Sequence, residues 1–160
     1  MTYSVQLYDQ VTDRKLEIIH INNTIDLDDN DNNFTELFEQ ELSIKSKSEE
    51  LNILVKKLIE DMRINEAIEE IMQFIRNVNK YMEKNAPWKM VKEDKENAGR
   101  VLYTAGEALR IGAVLLSPVM PNRTLILLDA LNSEKFSYHW GGLSIGGKLK
   151  KHSPLFPRLK

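Results

Sequence analysis

Trp88 has the most suggestive surroundings in the chain: it follows Pro87 directly, and Lys84, Lys89 and Lys92 lie within four positions of it. An indole offers a flat π face to a planar group, and lysines offer point charges to an anion. A proline lacks an N–H and restricts the residue before it, so the helix carrying Lys84 is expected to stop near Asn85 and Ala86, leaving Trp88 at a corner. A tryptophan there either plugs the core or lies open as a surface for something planar, and the residue types alone allow both. Elsewhere the candidates are weaker. The carboxylate pairs Glu49-Glu50 and Glu69-Glu70 fall on polar helix faces, where solvated charge is the ordinary state. His139 beside Trp140 reads as a packed or hydrogen-bonded side chain rather than a catalyst. No nucleophile with a base nearby, no HExxH, no phosphate loop and no dinucleotide fingerprint occurs, and "GGLSIGG" precedes no helix, so its glycines read as turns.

Composition narrows the chemistry further. With no cysteine, and with His20, His139 and His152 dispersed, neither a zinc site nor any other metal or cofactor is expected. The 160 residues, 42% of them hydrophobic, suit one core. No apolar run reaches the roughly 18–20 residues that cross a bilayer. The opening "MTYSVQLYDQ" lacks the basic flank and apolar stretch of a secretory signal, so a cytoplasmic or organelle-matrix protein without a membrane partner is expected. The net charge of −2 is unevenly spread: residues 1–60 hold 6 Lys and Arg against 13 Asp and Glu, whereas residues 61–160 hold 16 against 11. Phosphate attraction follows local potential, so the second part can carry a basic face.

The elements that must position these residues are mostly helical. "YSVQLY" and "KLEIIHI" around "DQVTDR" read as a small β-hairpin, followed by an acidic, Asn-rich linker over 22–33, which makes 1–33 an N-terminal extension. Residues 34–160 are expected to form the helical domain. A short helical piece, "FTELFEQEL", carries Phe34, Leu37, Phe38 and Leu42 as its stripe. Ser46 and Glu49 then suggest a capping box for a helix burying Leu51, Leu54, Val55, Leu58, Ile59 and Met62. The next helix spans about 65–84, with Ile68, Ile71, Met72, Ile75, Val78 and Met82 inward, and the short link makes the pair antiparallel. The most apolar helix, about 96–116, holds Ala105, Ala108, Gly112 and Ala113 for close packing and is the natural central element. Pro121 opens a last helix to about Leu131. The basic, glycine- and proline-punctuated tail is an irregular strap whose Leu155, Phe156 and Leu159 need an apolar surface.

In this order, "NKYMEKNAPWKMVKED", "VLYTAGEALRIGAVLLSPVMPN", "LLDALN" and "WGGLSIGGKLKKHSPLFPRLK" closely resemble the C-terminal anticodon-binding helical domain of methionyl-tRNA synthetases, over about 48–160. The resemblance implies an antiparallel bundle of the class I synthetase type. It also implies that Pro87 and Trp88 lie at the anticodon-recognising edge, with the indole stacking on a base and Asn85, Lys84, Lys89 and Lys92 around it. "IKSKS" (44–48) looks like a worn KMSKS loop, but that loop acts beside a Rossmann domain with a HIGH motif, and neither occurs in these residues. Its lysines and serines are expected in a linker and helix N-cap.

Two departures from the family bear on function. Its domain begins with a helix whose asparagine and arginine read anticodon bases; no segment here is assigned to that helix, and neither Asn33 nor any arginine takes that role. The catalytic core along which the family's Leu-Phe-Pro-Arg strap runs is also missing, so Leu155, Phe156, Pro157 and Arg158 must meet another surface. The resemblance therefore implies a non-catalytic tRNA-binding module, at most part of a methionine-tRNA ligase, whose partner is the anticodon arm of a methionine tRNA. The alternative is an interaction module that docks on a separate synthetase catalytic subunit or self-associates, its tRNA readout lost.

Overall fold

The structure, a computed structural model, describes residues 8–9, 14–15, 29–133, 136–144, 146 and 148–156. The chain divides into two compact units, Met1–Glu36 and Leu37–Lys160. In the first, β1 (Tyr8–Asp9) and β2 (Arg14–Lys15) pair antiparallel, with Tyr8 opposite Lys15 and Asp9 opposite Arg14. The rest of the expected hairpin strands, residues 22–28 of the expected linker, and Pro157, Arg158 and Leu159 lie outside the described residues.

Helix α1 runs unbroken over Asp29–Glu60. This corrects the expected linker at 29–33, the separate piece at 34–42 and the cap at Ser46. No glycine or proline interrupts these residues, so nothing forces the backbone out of its ladder. Ser46 Oγ donates to Glu50 Oε1 at 3.0 Å from within the helix, and buried Ser48 donates to the Lys45 carbonyl at 2.7 Å. "IKSKS" is thus mid-helix, neither linker nor cap. The helix ends where Met62 adopts a left-handed φ of 61°, and Arg63 N–H bonds the Leu58 carbonyl at 2.8 Å. That pairing is the Schellman arrangement, in which a reversed residue lets a later N–H satisfy an orphan carbonyl.

Helix α2 (Ile64–Asn85) returns antiparallel, and a short α3 (Pro87–Met90) turns the chain into α4 (Lys95–Leu116). Asp94 caps α4, accepting from Asn97 N–H at 3.0 Å and from the Asn97 side-chain amide at 2.7 Å. These bonds hold the Asp94 carboxyl below the usual carboxylate range. Arg100 near the start of α4 donates to Glu41 Oε2 at 2.8 Å and lies over the Phe38 ring, tying α4 to α1. The architecture is an antiparallel helical bundle, mostly α. Helix α5 (Pro121–Ala130) packs on α4 and carries an irregular strap. The strap is pinned to α5 by Lys150 N–H on the Ala130 carbonyl at 2.8 Å and by Lys150 Nζ and His152 on Asp129, which hold the Asp129 carboxyl low.

Buried positions step by alternating fours and threes over Ile44, Ser48, Leu51, Val55 and Leu58 in α1, over Ala67, Ile71, Phe74, Val78 and Tyr81 in α2, and over Ala98, Val101, Ala105 and Ala108 in the first part of α4, whose second part is buried on nearly every side. That period is the seam of helices packed at shallow crossing angles. It corrects two sequence stripes. In α1, Leu42, Leu54 and Ile59 are exposed, as is Met62 just beyond its end, and Ile44 is buried; in α2, Phe74 and Tyr81 join Ile71 and Val78 in the buried row, with Ile68, Met72, Ile75 and Met82 only partly buried against it. An amphipathic helix written with isoleucines on either side of its seam has an apolar arc wider than its contact line, so composition alone cannot say where the arc is centred. Helix α4 is central as expected, buried at Ala105, Ala108, Gly112 and Ala113.

Candidate nucleic-acid interface

The corner is built by three consecutive residues. Ala86 closes α2 in the left-handed region at φ 40°, its N–H bonding the Met82 carbonyl at 2.9 Å. Pro87 then occupies the first turn of α3, where a missing N–H is harmless, and its ring is fully buried. Met90, three positions on, faces the core with it. One residue around the turn from that inward face, Trp88 is left 56% exposed. The indole is therefore a surface feature and does not plug the core.

The other expected site residues divide by role. Lys84, Lys89 and Lys92 are exposed, together with Glu83 and Glu93 in the same stretch. Asn85 is half-buried, and its side-chain amide donates to Gln40 Oε1 at 2.9 Å and to the Tyr81 carbonyl at 3.0 Å, tying the end of α2 to α1. Asn85 and Pro87 hold the corner, whereas Trp88 and the lysines face outward. Behind Asn85, burial pushes the Tyr81 phenol up, with the Glu41 carboxylate adding to the shift. Replacing Ala86 with glycine removes the left-handed penalty of a Cβ at the cost of a looser unfolded chain. The net expectation is a gain of about 0.5 kcal/mol, read from the urea midpoint.

Sequence reasoning missed the second polar feature, the pair Glu107–Arg110. Both side chains are fully buried on α4, with Arg110 Nη2 at 2.9 Å from Glu107 Oε2. Arg110 also donates to the carbonyls of Ser137 at 2.5 Å and His139 at 2.6 Å, while the Glu107 carboxylate accepts from the N–H groups of Gly141 and Leu143. Two opposite charges thus clasp a loop that has no regular partner of its own. Gly142 is required there because a Cβ would sit 2.4 Å from Arg110 Cζ. The available signal was an i, i+3 charge pair inside the most apolar helix, where solvated charge is out of place. Among the described residues no cluster of three or more His, Asp or Glu is placed to hold a metal, and no helix is long and apolar enough to cross a membrane.

A family described as the anticodon binding domain of methionyl tRNA ligase matches residues 34–150. The chain belongs to this family. Methionine--tRNA ligase of Streptomyces coelicolor is 35% identical over 120 residues, covering 66% of this chain and 22% of that protein. The Deinococcus radiodurans methionine--tRNA ligase is 33% identical over 131 residues, covering 78% and 19%. Among solved structures, the apo form of Mycobacterium tuberculosis methionyl-tRNA synthetase superposes with a TM-score of 0.68 at 26% identity, over 76% of this chain and 26% of that one. The anticodon-binding domain described here therefore spans about a fifth to a quarter of the length of these relatives. Within it, the Trp88 corner and the Glu107–Arg110 clasp lie inside the matched residues.

Proposed function

We propose that this anticodon-binding domain is a non-catalytic tRNA-binding module that contacts the anticodon arm of a methionine tRNA through the Pro87-Trp88 corner. The observation that carries the reading is the half-exposed indole mounted on a fully buried proline, with Lys84, Lys89 and Lys92 exposed around it. Unpaired bases stack on aromatic faces and phosphates meet lysines, so a single-stranded loop suits this surface better than a duplex. Pro87 and Asn85 fix the corner, Trp88 stacks, and the lysines hold the backbone. Because the indole is already outside the core, base stacking requires no unfolding of the bundle. In a titration of methionine tRNA at two ionic strengths, Trp88→Ala is expected to bind about 5- to 150-fold more weakly than the unsubstituted chain, the loss of about 1–3 kcal/mol of stacking. Equal affinities for the two proteins remove the contact.

A second reading, docking on a separate synthetase catalytic subunit or on another copy, is favoured by the apolar side chains that the strap leaves open. Phe136, Leu149 and Phe156 are all more than half exposed, Phe156 with the Arg123 guanidinium over its ring. Light scattering after size exclusion discriminates between the two: a monomer that retains tRNA supports the first reading, and a stable dimer without tRNA binding supports the second.

A further inference from the structure

A shallow groove of ≈ 220 Å³ lies between α1 and α2, with Lys47 on one wall and Lys80 and Lys84 on the other. Its floor is made by Ile44, Val78 and Tyr81, all buried. Among the described residues that line it there is no aspartate or glutamate, although the whole chain carries more acidic than basic side chains. We infer that this groove is a second contact for the same RNA, carrying the phosphodiester backbone that leads away from the base on Trp88. The inference rests on the tRNA-binding reading above and names the path taken by the strand.

Three observations favour a strand over other occupants. The groove is smaller than the about 300–1,000 Å³ typical of small-molecule pockets and is partly open to solvent, so a compact ligand would keep much of its surface wet. Lysines of one sign over a low-dielectric floor focus the field outward, which attracts a repeating anion along the groove. The groove also adjoins the corner: Lys84, in the last turn of α2, is both a wall of the groove and one of the exposed lysines close to Pro87 and Trp88 in sequence, and Lys80 lies one turn before it, about 6 Å along the helix axis. A ribose-phosphate chain with one base on Trp88 can pass Lys84 and then Lys80. Lys47, exposed on the facing helix, approaches the strand from the other side.

The test measures methionine tRNA affinity against salt for four forms of the full chain: unsubstituted, Trp88→Ala, Lys47→Ala/Lys80→Ala, and Lys56→Ala/Lys57→Ala. The last pair, also exposed but outside the groove, removes the same charge. Each single-strand phosphate contact contributes about −0.7 to the slope of log K against log salt. Losing Lys47 and Lys80 is therefore expected to flatten the slope by about 1.4 and to weaken binding about 25-fold at 0.1 M relative to 1 M salt. Trp88→Ala is expected to lower affinity with the slope kept, and the Lys56/Lys57 control to change neither. If the groove and control substitutions flatten the slope equally, the effect is diffuse charge and the inference is overturned. If the groove substitution changes nothing while Trp88→Ala still weakens binding, the groove contact falls and the corner stands. If the unsubstituted chain binds no tRNA, both fall. A poly-glutamate peptide whose binding is lost with Lys47 and Lys80, while tRNA binding is kept, assigns the groove to an acidic protein surface and overturns the inference as well.

Discussion

Arg110→Ala is expected to lower the stability of the chain by about 3–5 kcal/mol, because it leaves the Glu107 carboxylate buried without its counter-charge. The loss extends beyond the pair. Arg110 supplies the donors for the Ser137 and His139 carbonyls, and Glu107 accepts the Gly141 and Leu143 N–H groups, so the loop at 137–143 loses its attachment to α4. Trp140, half-buried and packed against the core from that loop, should report the release as a loss of near-ultraviolet circular dichroism before the helices melt. Removing both charges with Glu107→Gln/Arg110→Met is expected to recover part of the stability. An apolar or neutral pair of similar volume avoids the unpaired ion, although the loop carbonyls and N–H groups still lose partners. Urea unfolding of the three proteins checks the ordering. A single variant as stable as the unsubstituted chain would show that the clasp is not what holds the loop.

Phe74→Ala should cost about 3–5 kcal/mol, the loss of a buried ring together with the cavity it leaves. Phe74 lies in the α2 seam at 5% exposure, within the same core as Leu51, Val55, Ile71 and Val101. The companion substitution Ile53→Ala, at a position 73% exposed on α1, is expected to change stability by no more than about 0.5 kcal/mol. The contrast tests the seam itself. If Ile53→Ala were the costlier of the two, α1 would be rotated from the orientation described here, and Ile44 and Ser48 would no longer face the core. Chemical denaturation midpoints at constant m-value decide the matter.

Much of the helical order was legible because local signals agreed. The proline before Trp88 predicted a corner, the short link after α1 predicted an antiparallel return, and small residues among leucines marked α4 as the central helix. Each depends on a few neighbouring residues and on backbone sterics. The break expected before Ser46 was misleading, since a run of lysine and serine looks like a linker yet contains nothing that stops a helix. The inward faces were misjudged for a different reason. Leu54, Ile59 and Met62 have the right chemistry for burial, but only the position of the neighbouring helices selects which part of a broad apolar arc becomes the seam. The candidate site was only half readable in the same way. Lys84, Lys89 and Lys92 are exposed as their charge suggests, whereas the fate of Trp88 depended on what filled the space beneath it.

By itself, then, the sequence determined where most helices begin and end, that the second part of the chain is basic, and that a tryptophan stands at a proline corner. The tertiary structure decided that the indole faces solvent while Pro87 and Met90 take the core, that Asn85 is used to join α2 to α1, and that Glu107 and Arg110 bind a distant loop. The reason is range: caps, breaks and periods act over a turn or two, whereas burial and pairing depend on groups that folding brings together from dozens of residues away.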